Sequence, residues 1–451
     1  MTRPSNHFSQ SIILHKRKID FIQMKQAIWL YFILLIFEGA LRKWILPGLS
    51  DALLIVRDPV ALFILFKAIK QNLFQTNLYI VSILVVTIIA FITTMLFGHG
   101  NLIVAIYGIR IMLLHFPLIF VIGKVFSRND VIRMGKLMLW IALPMSILIG
   151  FQFYSPQSAW INRGLAGSLE GAGFGNVNGY SRPPGTFSFT SGNVNFWGLV
   201  SCFLLYFWLQ VKQHNKTLLI AATVALFGAM SFSISRTLFF EIGLSVVFAL
   251  IASWLKPIYF VRLLFSIFIV LVVVVLLSQL SLFHTGIDTF IARFTDASES
   301  EGGIKGTLGD RFLGGLIGAI TNSGDLFWGE GMGMGTNAGA KLMTGNATFL
   351  ISEGEWGRLI GESGIILGIS TILIRVFLSI SLIRKGFQKM IAGDSLAWLL
   401  LSFGFVNLVQ GPLAQPTVLG FSVLTGGLIM AALKVPSRKL HKRFYNRQAK
   451  C

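Results

Sequence analysis

Apolar residues in this chain come in blocks of about 20 separated by polar gaps, and this spacing limits the possible folds more than any other feature. A helix rises about 1.5 Å per residue, so each block matches the ~30 Å hydrocarbon core of a bilayer. Only 12% of the residues are charged and 54% are hydrophobic, which an ordinary soluble fold could not keep in solution. We predict an all-α fold, a polytopic membrane helical bundle of about 12 transmembrane helices. The predicted helices cover 28–46, 52–70, 78–97, 102–123, 137–154, 194–211, 218–234, 237–255, 261–283, 362–383, 395–411 and 415–433.

Lys and Arg give the chain a formal net charge of +20. Nucleic-acid binding would need them on one solvated face, but here they lie in the gaps between the apolar blocks, so we expect no nucleic-acid partner. With the N-terminus in the cytoplasm, every second gap is basic and the internal segments hold 25 of the 38 Lys and Arg residues. The positive-inside bias therefore predicts that both termini are cytoplasmic.

This topology divides the chain into three parts. Residues 1–27 form a cytoplasmic N-terminal segment, residues 28–433 a transmembrane domain, and residues 434–451 a basic cytoplasmic tail. Two long polar gaps, 155–193 and 284–361, become external loops that face each other over one side of the bundle. Both loops are rich in Gly, which leaves open whether they are flexible linkers or close-packed loops that shape a site.

Several ionisable residues fall inside the predicted helices, where charges are costly and are usually paired or functional. Glu38 and Arg375 are two of them. A further set lies in the outer halves of the helices, where a cavity open to the external side could hydrate it: Arg57, Asp58, Arg110 and Glu241. The alternative is that these charges pair with each other as ties between helices.

A second set of charges lies at the predicted external ends of the helices. Its four arginines are flanked by Gly, Ser or Pro and are candidates for binding a phosphate group, or alternatively lipid headgroups. They are Arg182, Arg236, Arg311 and Arg358. Three glutamates, Glu353, Glu355 and Glu362, surround Arg358 in sequence. A carboxylate there could act as a general base on a hydroxyl, or it could neutralise Arg358.

Metal-binding patterns are missing from the sequence. The first external loop, PGLSD, carries a single Asp, and no His and Cys residues have metal-ligand spacing. We therefore expect no metal site and no cofactor.

A series of motifs, in this order, resembles the O-antigen polymerase and O-antigen ligase-like family of bacterial polytopic membrane glycosyltransferases. The motifs are FEGALRKWILP at 37–47, LIVRDP at 54–59, RPPGTFSFTSGNVNF at 182–196, SISRTLFFE at 233–241, GDRF at 309–312, GEGMGMGT at 329–336 and EWGRLIGESGIILG at 355–368. The resemblance spans nearly the whole chain.

The resemblance implies metal-independent chemistry on undecaprenyl-diphosphate-linked oligosaccharides at the outer face of the bacterial plasma membrane. In it, Arg236 and Arg311 look like diphosphate-binding residues, and Arg182 and Arg358 complete the cationic site. Glycosyl transfer from a diphosphate needs cations to hold the leaving group and a positioned acceptor hydroxyl, which suits arginine. Expected partners are the lipid-linked oligosaccharide, membrane lipid and a polysaccharide chain-length regulator.

Ligases of this family resemble each other in a His late in the second large loop. Here that loop holds only His284, at its start, so the sequence favours a polymerase that joins repeat units into a surface polysaccharide. A ligase acting on another acceptor, and a flippase of the same lipid-linked glycans without enzymatic activity, are the alternatives.

Overall fold

The computed structural model describes residues 5–74, 76–210, 214–254, 279–300, 327–345, 350–352 and 354–434, with a few isolated positions or pairs between 257 and 275. This part of the chain is mostly helical. The helices are α1 (Ser5–Ala40), α2 (Ser50–Leu53), α3 (Asp58–Lys70), α4 (Leu78–Leu96), α5 (Leu102–Ile109), α6 (Leu118–Val125), α7 (Arg128–Tyr154), α8 (Thr190–Leu209), α9 (Lys216–Phe232), α10 (Arg236–Trp254), α11 (Ser281–Ser300), α12 (Asn337–Thr344), α13 (Glu355–Ile391), α14 (Leu396–Gln410) and α15 (Pro416–Ala432).

Seven helical stretches are long and apolar enough to cross a membrane: Ile19–Ile45, Leu78–Leu96, Leu102–Val125, Arg128–Tyr154, Thr190–Leu209, Arg236–Trp254 and Glu355–Ile391. Helices α9, α14 and α15 are shorter but also apolar. The prediction of a helical fold with several helices of membrane-spanning length is therefore confirmed.

The predicted helix 52–70 was wrong about where it begins. Helix α3 starts only at Asp58, with Pro59 in its first turn, after the short helix α2 and a turn. Proline lacks a backbone N–H and fits the first turn of a helix, so it favours a start at this point. The predicted helix 261–283 falls largely outside the described residues.

The predicted loop 284–361 contains helices in its described part. Helix α11 reaches to Ser300, and α13 begins at Glu355, seven residues before the expected start at Glu362. Helix α13 is interrupted at Gly364, which has a φ of +79°. This backbone angle is easily adopted only by glycine, so the first two turns of α13 are offset from the rest of the helix.

The only strands in the described ranges form one hairpin within the predicted external loop 155–193. Strands β1 (Phe174–Val177) and β2 (Tyr180–Arg182) pair antiparallel, with Val177 opposite Tyr180. The connecting residues are Asn178 and Gly179, both with positive φ. An Asn-Gly pair is the preferred two-residue hairpin turn, because it permits positive φ at both positions.

The core is formed by helices that pack through small residues. Helix α15 packs on α6 and α14. A methyl group added at Gly427 of α15 would lie 2.6 Å from Cβ of Ile122 in α6. Small residues allow apolar helices to approach this closely, which is the usual packing device of helices in lipid.

Candidate functional site

Four cations and two carboxylates lie together where α1, α3 and α5 meet. We call this group, with Tyr31 and His115, the cation-rich network. The cations are Arg42, Lys43, Arg57 and Arg110, and the carboxylates are Glu38 and Asp58. Glu38, Arg42, Lys43 and Arg57 are each no more than 5% exposed. Charges buried to this extent need compensating partners, so each contact of this network matters for the stability of the fold.

Glu38 is the centre of one half of the network. It accepts a hydrogen bond from Nε of Arg57 at 3.0 Å and lies 3.4 Å from Nη1 of Arg42. Arg57 also donates to the carbonyl of Pro416 at 2.6 Å, and Arg42 donates to the carbonyl of Ser50 at 2.8 Å. The guanidinium groups are therefore fixed by neutral carbonyls as well as by Glu38.

Asp58 is the centre of the other half. It accepts from Arg110 through both carboxylate oxygens, at 2.5 and 3.2 Å. His115 Nε2 lies 3.0 Å from Asp58, and His115 Nδ1 lies 3.1 Å from the Tyr31 hydroxyl. The Tyr31 hydroxyl is also 3.5 Å from Arg57. An imidazole that donates to Asp58 and accepts from Tyr31 satisfies all of these groups and connects the two halves.

Three of the four cations of this network lie in two π-helical turns. Leu41–Ile45 continues α1 and holds Arg42 and Lys43, and Arg110–His115 continues α5 and begins and ends with network residues. A π turn inserts one residue relative to an α-helix and so changes the direction of the side chains that follow. Such turns occur frequently at functional sites, which marks this network as a candidate.

The segment 183–190, which precedes and begins α8, packs on the same network. Lys43 Nζ donates to the carbonyl of Gly185 at 2.8 Å, and Arg42 donates to Oγ of Ser188 at 3.1 Å. Thr186 Oγ1 donates to the carbonyl of Ile36 at 2.6 Å. In the described part of the chain, no carboxylate lies within ion-pairing distance of Lys43. The network thus contains two more cations than carboxylates, and Lys43 is the cation without a described carboxylate partner.

A second group of buried ions, which we call the balanced network, lies at the start of α13. It contains two arginines and two glutamates. Glu355 accepts from Arg358 at 2.9 and 3.0 Å and from Arg375 at 2.5 Å, and Glu362 accepts from Arg358 at 2.5 Å. All four residues are no more than 3% exposed. The backbone N–H of Leu413 also donates to Glu355, at 3.1 Å.

The Gly-rich segment 329–336 is close-packed against this network. Gly331 donates to the carbonyl of Glu362 at 3.0 Å, and Gly335 donates to its carboxylate at 2.8 Å. The N–H of Met332 donates to Thr94 Oγ1 at 2.9 Å. Of the two interpretations that composition left open, the structure shows close packing for this segment.

Both networks hold the loop between α14 and α15. Arg375 donates to the carbonyl of Gly411 at 2.9 Å, Glu355 accepts from Leu413, and Arg57 donates to the carbonyl of Pro416. Ser191 Oγ also donates to Gln415, at 3.0 Å. The loop 411–416 is therefore held by Arg57, just before α3, and by residues of α8 and α13.

The structure brings some of the predicted site residues together. Arg57, Asp58 and Arg110 meet in the cation-rich network. They pair with charges on other helices, which is one of the two alternatives that the sequence left open. Glu355 and Arg358 meet in the balanced network, where their hydrogen-bonding groups are directed at each other and at neighbours. A catalytic role for these two stays a prediction.

The other predicted residues lie elsewhere. Arg182 is in β2, where its Nε donates to the carbonyl of Phe174 at 3.0 Å, and Arg236 begins α10 and is buried. Glu241, one turn further along α10, has a buried Oε2 without a hydrogen-bond partner among the described residues. Arg311 and Glu353 lie outside the described residues.

Four members of the cation-rich network had been assigned no role from sequence: Tyr31, Arg42, Lys43 and His115. The signal for Arg42 and Lys43 was present, because adjacent cations interrupt an apolar block in FEGALRKWILP. His115 and Tyr31 carried no signal, because their role depends on the meeting of α1 and α5. Within the described ranges, no three His, Cys, Asp or Glu side chains are arranged to hold a metal ion.

Neither a scan against protein-family models nor a search of curated proteins finds a match to this chain.

Proposed function

We propose that this chain is a bacterial membrane glycosyltransferase that polymerises undecaprenyl-diphosphate-linked oligosaccharide repeat units into a surface polysaccharide. The observation that carries the proposal is the surplus of two buried cations over carboxylates in the cation-rich network, beside a segment of the long loop 155–193. A buried surplus of positive charge is costly unless an anion can join it. A diphosphate supplies that anion.

The reaction requires the protein mainly to bind the diphosphate and to position the acceptor hydroxyl. The acceptor hydroxyl oxygen forms a bond to the anomeric carbon, the bond from that carbon to the diphosphate oxygen breaks, and the electron pair leaves with the diphosphate. Cations placed at the leaving group lower the barrier because negative charge develops there. The hydroxyl proton passes to a base. Glu355 already accepts hydrogen bonds from Arg358, Arg375 and Leu413, which favours Glu353 over Glu355 for that role.

Lys43 is the most informative cation of the network. Its single described hydrogen-bond acceptor is the neutral carbonyl of Gly185, which also accepts from Gln152 Nε2 at 3.2 Å. An anionic ligand would be a stronger partner for an ammonium group than this carbonyl. We therefore assign Lys43 and Arg42 to diphosphate binding. A role for Arg236, at the start of α10, and for Arg311 rests on the family resemblance alone.

The proposal includes a topology of about twelve spans with both termini in the cytoplasm. Loops 155–193 and 284–361 then lie on the external side, where a lipid-linked oligosaccharide is presented for polymerisation. The basic gaps between the apolar blocks support this arrangement.

The test is polymerisation by the purified full chain in liposomes, supplied with the lipid-linked oligosaccharide pool of the source cells. Released undecaprenyl diphosphate and glycan length are measured for the natural chain, Lys43→Met and Lys341→Met. Lys341 is a matched control, because its ion pair with Asp51 is exposed. We expect glycan growth by the natural chain and the control, and roughly a hundredfold slower growth for Lys43→Met.

Two outcomes contradict this proposal. Lipid that crosses the bilayer without release of undecaprenyl diphosphate would indicate a flippase. Transfer of preformed glycan to a different acceptor, without growth of the repeat-unit chain, would indicate a ligase. Full activity of Lys43→Met would leave the polymerase in place and remove Lys43 from its site.

A further inference from the structure

A groove of about 630 Å³ lies between the beginning of α4 and the second half of α13, and none of its lining residues belongs to either ion network. Its walls are apolar along most of their length, with Leu78, Tyr79, Ile374, Phe377 and Ile380 as the main lining residues. Tyr79 closes one side, with its hydroxyl donating to the carbonyl of Phe377 at 3.4 Å. The groove therefore has the volume and the apolar lining for a hydrocarbon chain.

One end of the groove is polar and positively charged. It is lined by Ser381, Arg384, Lys385 and Gln388, all within two turns of α13. Arg384 and Lys385 are exposed. In the described ranges, neither cation has a carboxylate within ion-pairing distance. Two cations next to hydroxyl and amide donors form a binding surface for a phosphate group.

We propose that this groove binds one anionic glycerophospholipid of the surrounding membrane. An acyl chain lies along α13 between Ile374 and Ile380, and the phosphate lies against Arg384 and Lys385. The positive charge at the polar end of the groove favours an anionic headgroup, and the apolar walls favour an acyl chain. The lipid would join the first turn of α4 to α13, which meet at Tyr79.

The charge of the rim is tested with the double variant Arg384→Ala/Lys385→Ala of the full chain. The measurement is native mass spectrometry of detergent-purified protein titrated with phosphatidylglycerol or phosphatidylcholine. The natural chain is expected to retain one phosphatidylglycerol and to bind it at least tenfold more tightly than phosphatidylcholine. The double variant is expected to lose roughly tenfold in phosphatidylglycerol affinity. Lys389→Ala is the matched control, because it removes a cation from the same end of α13 without lining the groove, and it should bind as the natural chain does.

A second variant tests the groove itself. Ser82→Phe keeps both cations but places a ring in the groove that Ser82 lines, so it should also weaken binding. If Ser82→Phe binds normally, the cations attract lipid at the surface and the groove is not its site. Equal losses in the double variant and Lys389→Ala, no preference for phosphatidylglycerol, or tighter binding of a polyprenyl phosphate would each overturn the proposal.

Discussion

The two buried ion networks of this protein differ in one respect, the balance of their charges. The balanced network pairs Arg358 and Arg375 with Glu355 and Glu362, and every group is directed at another part of the chain. The cation-rich network has four cations for two carboxylates, and Lys43 is held by a carbonyl. Matched buried ions hold parts of the fold together, whereas a surplus of one sign favours the binding of a ligand of the other sign.

The largest effect on stability is expected in the balanced network. Glu355→Gln leaves two buried guanidinium groups without their shared carboxylate, which should cost about 3–5 kcal/mol of the free energy of unfolding. Thermal unfolding of detergent-purified protein, followed by tryptophan fluorescence, measures this. Glu170→Gln, at an exposed loop position, is the control. A Glu355→Gln protein that unfolds normally but lacks activity would give Glu355 the catalytic role that the sequence suggested.

Glu38→Gln makes the same change in the cation-rich network and should cost less, about 2 kcal/mol. In the part of the chain that the structure describes, Glu38 accepts only two hydrogen bonds, at 3.0 and 3.4 Å, whereas Glu355 accepts four, at distances from 2.5 to 3.1 Å. Unfolding under the conditions used for Glu355→Gln gives the comparison directly. A loss for Glu38→Gln as large as that for Glu355→Gln would mean that both networks are structural clamps.

A smaller effect is expected at Gly333, in the segment that packs beside the balanced network. Gly333 and Gly345 share a positive φ, +89° and +80°, but an added methyl group would meet backbone atoms of α5 only at Gly333. Gly333→Ala should therefore be less stable than Gly345→Ala by roughly 1.5 kcal/mol. Equal stabilities of the two variants would show that the backbone of this segment can shift to accommodate the methyl group, so that it does not pack rigidly against the network.

The sequence predicted the helices better than their junctions. Apolar blocks located α4 and α10 within a few residues, because burial in lipid requires continuous apolar length. The start of α3 at Asp58 and the break of α13 at Gly364 depend on local backbone geometry, which hydropathy does not report. Charged residues within helices could be recognised from sequence, but their partners could not. Arg110 and Asp58 are 52 positions apart, and only the packing of α3 on the π turn Arg110–His115 brings them together.

The π turn at Leu41–Ile45 also determines which changes in chain length α1 can accept. Since one residue of a helix corresponds to about 100° of rotation, deleting a single residue here would restore a regular α-helix and turn the residues after it by that angle. The helix would remain intact and would keep its hydrophobic length. If Leu41 is the residue removed, Lys43 would turn away from the carbonyl of Gly185, whereas Arg42, then three positions after Glu38, would stay on the same face as Glu38. Deletion of one amino acid would thus leave insertion of α1 into a bilayer intact but would disrupt the assembly of the buried charges.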